Sequence, residues 1–216
     1  MVFFEKGNEE LAKLVSLAAE DVRKSIPGGV KLHLTKPSHY HITVFMTSQP
    51  HALRPNPFDP SANSSNVTVT DMNELKPEKE VLDKEIKVMR RCAAAVQAPT
   101  FRVHRLLMAD SGTLLLCSIE NSSHASLFNL RKMFRNEFPG APPRQSTIYH
   151  TSVGRILTAE PLSMEVRERI QSVCDEWTER LRGITFHVKE LYHVCEEQFT
   201  TGKLCQLCLK TQSLWV

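Results

Sequence analysis

Two short stretches carry residue types that could handle protons: His41-Ile42-Thr43-Val44 and His150-Thr151-Ser152-Val153. Each reads His, any residue, a hydroxyl residue, an apolar residue, and each lies in a run patterned like a buried strand. Side chains of an extended chain alternate between faces, so His41 projects with Thr43, and His150 with Ser152. Ile42, Val44, Thr151 and Val153 then face the packed side. An imidazole titrates near neutrality and serves as either acid or base. A hydroxyl beside it donates a hydrogen bond to an anionic oxygen. Two such pairs aimed at one phosphoryl group supply a base for the attacking oxygen, an acid for the leaving oxygen, and donors for the oxygens between. That scheme calls for no metal and no cofactor, and the sequence offers no acidic cluster to hold a metal. A lone His beside a strand hydroxyl is more often a hydrogen-bonded structural residue. The weight lies in the pairing.

The pairing sits inside a repeat. After the first stretch come Phe101-Arg102-Val103, Leu106, the turn Ser111-Gly112-Thr113-Leu114 and an apolar run to Cys117. After the second come Phe186-His187-Val188, Leu191, the turn Thr201-Gly202-Lys203-Leu204 and a run ending at Leu209. Both read as strand, Gly-containing turn, strand, which predicts a hairpin. Each half therefore runs His strand, helix, Phe-x-Val hairpin. The first half is longer, by about the span of the Pro/Ser/Asn-rich residues 50–77. That stretch cannot build a core and is read as a loop insertion, placed where a substrate lid would sit.

With these residues in view, the chain resembles the 2H phosphoesterase superfamily, which includes RNA 2′,5′-ligase-like proteins and 2′,3′-cyclic nucleotide phosphodiesterases. The likeness covers most of the chain. Ser152 stands where Thr is commoner, a change that keeps the hydroxyl. The resemblance implies metal-independent hydrolysis of a 2′,3′-cyclic phosphate or an RNA-type phosphodiester. By analogy His41 and His150 are the catalytic acid and base, and Thr43 and Ser152 bind the substrate phosphate. The competing expectation is a non-catalytic module that grips a nucleotide or RNA end in the same cleft.

Other residues fill out the expected site. Tyr149 precedes His150 and faces away from it in a regular strand, which favours packing; a strand-end ring also offers a surface for a base, so Tyr149 is a substrate-binding candidate. Arg155 is a candidate phosphate contact, on the opposite face from His150 unless the strand bulges. Arg131, Lys132 and Arg135 make a basic helix face, read as solvated surface. The remaining histidines are read as surface or structural.

The 216 residues fit a single two-lobed domain spanning 1–216, with 41% hydrophobic and 24% charged residues, ordinary globular values. The net charge of +3 permits an anionic substrate without requiring a nucleic acid. No apolar run approaches the roughly 20 residues of a membrane span, and no secretory signal is visible. The expectation is a cytoplasmic or nuclear protein, monomeric, not bound to membranes, with a nucleotide or RNA end as partner. Six cysteines make no disulfide scaffold here, and Cys205-x-x-Cys208 is poorly spaced for zinc on a strand.

Helical spacing marks four helices: one after Asn8 with Leu11, Leu14, Val15, Ala18 and Val22 inward, one after Pro77, one capped by Ser122 or Ser123, and one from Ser163 ended by Gly183. Strands are expected at 2–4, 30–34, 40–46 and 148–156. Helices and strands alternating in two similar units predict an α+β fold. It would have two pseudo-symmetric lobes, each an antiparallel sheet with flanking helices, facing across a central cleft.

Overall fold

The computed structural model describes residues 2–3, 8–48, 56–61, 78–158, 160–188 and 190–194. The chain is α+β. Five strands form one antiparallel sheet in the order β2-β6-β5-β4-β7: Leu32–Leu34 (β2), Thr100–Met108 (β4), Thr113–Glu120 (β5), Tyr149–Ile156 (β6) and Thr185–His187 (β7). A two-stranded pair joins Val2–Phe3 (β1) to His41–Ile42 (β3), with Phe3 opposite His41. The helices are α1 (Glu9–Ser25), α2 (Lys79–Ala94), α3 (Ser126–Glu137) and α4 (Met164–Leu181). Among the described residues no helix is long and apolar enough to cross a membrane.

The two sequence halves do not each keep a sheet of their own among the described residues. β6 inserts between β2 and β5, and β7 pairs with β4, so strands of both halves share one sheet. Phe101 lies directly opposite Phe186, their rings stacked at 5.4 Å. The two Phe-x-Val segments thus meet as neighbours, since each presents a large ring to the same core. The return strand expected after the second turn, at 201–209, lies outside the described residues.

One face of the large sheet is covered by α1 and α4. Phe101, Val103 and Leu106 of β4 and Leu114 and Leu116 of β5 are buried in one core with Ile170, Cys174 and Leu181 of α4. The Thr178 hydroxyl accepts from the Leu106 N–H at 3.0 Å and donates to the Leu106 carbonyl at 3.2 Å, docking α4 on β4. Helix α4 starts as its sequence predicts: Ser163 is the cap, and its Oγ accepts from the Val166 N–H. Gly183 ends it at φ +87°, where a side chain would be strained, and its N–H reaches the Val103 carbonyl.

Three local features come from tertiary contacts, the second in place of the expected Ser122 or Ser123 cap. Asn8 flanks α1 but does not cap it; its Nδ2 donates to the His187 carbonyl, tying α1 to β7 instead. Helix α3 is capped from a distance: the Glu120 carboxylate accepts from the Leu127 N–H and from the Ser122 hydroxyl, both at 2.8 Å. A carboxylate at that end also meets the positive pole of the helix. The buried face of α2 includes Glu85, wholly buried and 3.1 Å from His193 Nε2, with the Thr47 hydroxyl donating to it.

Part of the 50–77 insertion is described. Residues 56–61 form a turn against the end of α3, with Phe58 packed on Phe138 at 5.3 Å and the Gly140 N–H on the Pro57 carbonyl. The approach at Gly140 is so close that a Cβ there would lie 2.1 Å from the Asp59 carbonyl oxygen. The rest of the insertion lies outside the described residues, as do Cys195, Cys205 and Cys208. Cys92, Cys117 and Cys174 are free thiols.

Candidate functional site

His41 stands at the start of β3, immediately after a tight turn at Pro37–His39 and the buried Tyr40. Its Nδ1 is 2.8 Å from the His39 carbonyl oxygen. A carbonyl only accepts, so Nδ1 carries the proton of the neutral ring and Nε2 carries the lone pair. Burial pushes this imidazole down to about 4; the hydrogen bond to His39 opposes that, and the neighbouring His150 ring adds to it. His41 lies on the two-residue strand β3, which packs against β6, the strand that carries His150.

His150 stands on β6, opposite Cys117 of β5, and β3 packs beside β6. Its ring meets the Ser146 hydroxyl and not a backbone carbonyl directly. The Ser146 Oγ lies 3.4 Å from its Nδ1 and itself donates to the Ile148 carbonyl. Burial lowers its pKa as well, the Ile148 carbonyl opposes, and the Arg131 cation lowers it further. Both imidazoles are thus neutral at pH 7 in the unliganded protein.

The alternation of the two motifs holds. Ile42, Val44, Thr151 and Val153 are buried, while His41, Thr43, His150 and Ser152 are each half-buried. Neither the Thr43 nor the Ser152 hydroxyl has a partner among the described residues.

Beyond Ile42 the regular strand stops earlier than its pattern suggests, because side chains take over the backbone pairing. Arg131 of α3 donates from Nε to the Val44 carbonyl at 2.9 Å and from Nη2 to the Thr43 carbonyl at 3.1 Å. The Gln145 side chain pairs with both backbone groups of Met46, accepting from its N–H and donating to its carbonyl, each at 2.8 Å. The same Arg131 guanidinium lies 4.5 Å over the Tyr149 ring. One side chain thus bridges the segment after His41 to the residue before His150.

Tyr149 belongs to that brace. Its hydroxyl donates to Glu120 at 3.2 Å, its ring meets Phe101 edge-on, and its backbone position faces away from His150. The basic helix face is likewise not free surface throughout: Arg135 donates to the Ala141 and Pro142 carbonyls and stacks over Phe45, leaving Lys132 exposed. Arg131, Gln145 and Glu120 were not singled out as site residues by their sequence. The available signal was position, since Arg131 borders the buried stripe of Leu127, Leu130 and Phe134.

Arg155 moves the other way. Leu114 pairs with Gly154 and Leu115 with Ser152, so β6 carries one extra residue at Val153. Opposed residues in an antiparallel pair share a face. Arg155 opposes Thr113, Ser152 opposes Leu115 and His150 opposes Cys117, and those three β5 residues alternate on one face. The bulge therefore sets Arg155 beside Ser152 and His150. Its Nε donates to the Thr113 hydroxyl at 3.2 Å.

Among the described residues no group of three or more His, Cys, Asp or Glu is placed to hold a metal ion. The arrangement offers two neutral imidazoles, two unpartnered hydroxyls and an arginine, each half-buried or exposed. Comparison with protein-family models, curated proteins and solved structures returns no match.

Proposed function

We propose that this chain is a 2H-type phosphoesterase that hydrolyses a 2′,3′-cyclic phosphate or an RNA-type phosphodiester, with His41 and His150 as general base and general acid. The observation that carries this reading is the packing of β3, which carries His41, against β6, which carries His150, each histidine with an unpartnered hydroxyl two residues on.

His41, the more strongly depressed of the two, stays unprotonated and takes the proton of the attacking oxygen at Nε2. For a cyclic phosphate that oxygen is water, and a new P–O bond forms. The bond from phosphorus to one ribose oxygen breaks, and that oxygen receives the proton carried by His150. Exchange with solvent then restores both rings. A bound phosphate anion between the imidazoles favours protonation, so substrate binding itself loads the acid. Thr43 and Ser152 donate to the non-bridging oxygens, where charge grows in the transition state.

The test is turnover of uridine 2′,3′-cyclic phosphate and short oligoribonucleotides in the presence of EDTA. His41→Ala and His150→Ala are each expected to lower kcat by about a hundredfold or more, with the fold intact by circular dichroism. Undiminished turnover in either variant would sink the two-histidine mechanism. Tight nucleotide binding by calorimetry with no substrate consumed would make the chain a binding module.

A further inference from the structure

The strand register defines a whole face of the large sheet, and that face is unusual in charge. Across β6, β5 and β4, His150, Cys117 and Arg105 form one row, and Ser152, Leu115 and Leu107 form the next. His33, Arg155 and Thr113 form the row beyond, across β2, β6 and β5. On the other side Ile119, Arg102 and Thr185 line up across β5, β4 and β7. Three arginines stand among these positions and no Asp or Glu. The chain as a whole nearly balances its charges, with 27 Lys and Arg against 24 Asp and Glu.

The arginines also lack a carboxylate partner among the described residues, Arg155 bonding only to the Thr113 hydroxyl. Arg102, Arg105 and Arg155 are exposed, and among the described residues none forms an ion pair. Elsewhere on the surface Arg23, Arg91 and Arg182 each pair with a glutamate. Exposed Ile119 lies beside Arg102 on the same face, an apolar step among the cations. Adjacent strands are spaced about 4.8 Å, so Arg105 sits about 10 Å from His150 measured across the backbone. That is a reach of one or two nucleotides from a phosphate held at the site.

We propose that this face is a docking surface for single-stranded RNA, whose terminal phosphate enters between His41 and His150 while preceding phosphates lie over Arg105 and Arg102. The inference deepens the phosphoesterase reading and rests on it for the choice of RNA. It makes the substrate a polynucleotide end in preference to a free cyclic mononucleotide. Arginine suits the task because its planar fork pairs with two phosphate oxygens at once. The apolar Ile119 offers contact to a base without reading its identity.

The experiment is an anisotropy titration of the full chain with a 5′-labelled octauridylate ending in a 3′-hydroxyl, across a range of salt. Binding is thereby measured with no reactive phosphate present, and hydrolysis of uridine 2′,3′-cyclic phosphate is assayed separately. In the pair Arg102→Gln/Arg105→Gln, octamer affinity is expected to fall about tenfold. The slope of log affinity against log salt should flatten by about 1.4, the share of two phosphate contacts on a single strand. Arg102→Lys/Arg105→Lys should restore the slope. Equal affinity and slope in the glutamine pair and the natural protein overturn the docking surface, even if the cyclic phosphate is hydrolysed. The expected losses with no hydrolysis of any phosphate sustain the surface and overturn the catalytic reading alone.

Discussion

At the scale of single residues, the two histidines differ in how far their surroundings push them. His41 is lowered to about 4, and His150 is lowered too, each first by burial. The acid must be protonated and the base must not be, and kcat/KM reports both groups in the free protein. The rate constant should therefore fall as pH drops through about 4, where His41 gains its proton. It should fall again as pH rises through the depressed value of His150, below the ordinary 6.5. A bell with its optimum on the acid side of neutrality is expected in steady-state kinetics from pH 4 to 9. The bell in kcat should lie higher, because bound phosphate favours the charged imidazole. An optimum in kcat/KM above pH 7 would reverse the assignment of ionisation states.

At the scale of elements, helix α3 acts as the fastener between the two motifs. Arg131 reaches from it to the Thr43 and Val44 carbonyls and over the Tyr149 ring, while Glu120 caps its start and holds the Tyr149 hydroxyl. Arg131→Met removes two charge-assisted hydrogen bonds and should cost about 2–3 kcal/mol in urea unfolding. A second consequence separates this residue from a purely structural one. The Arg131 cation lowers the pKa of His150, so in any residual activity the alkaline limb of kcat/KM should move to higher pH. Arg131→Lys keeps the charge but not the fork, and should restore the limb better than the stability. An unmoved limb in Arg131→Met would show that the cation does not tune His150.

At the scale of the whole molecule, the buried trio of Glu85, His193 and Thr47 ties α2 to the segment after β3 and to residues 190–194. Glu85→Leu leaves the His193 ring buried opposite an apolar side chain, and should cost about 3 kcal/mol by thermal or urea unfolding. Replacing both Glu85 and His193 with Leu should recover part of that, because the buried imidazole is removed while the Thr47 hydroxyl still loses its acceptor. A double variant as unstable as the single one would locate the cost in packing. The helices and the long hairpin were legible from sequence because 3.6-residue and two-residue periodicity are local properties, and so was the inward facing of Ile42, Val44, Thr151 and Val153. The His-x-hydroxyl pattern was less specific than it looks: it recurs from His124 through Ser126 to Leu127, where it spans the entry to α3 and leaves His124 exposed. What separates the three occurrences is tertiary. Only folding brings His41 and His150 together, and only the extra residue at Val153 carries Arg155 to their side. Arg131 read as a surface charge because a sequence shows the cost of burying a charge but not the distant carbonyls that offset it. Periodicity along the chain is written in neighbours; strand order, bulges and buried partners are settled by contacts between residues far apart in it.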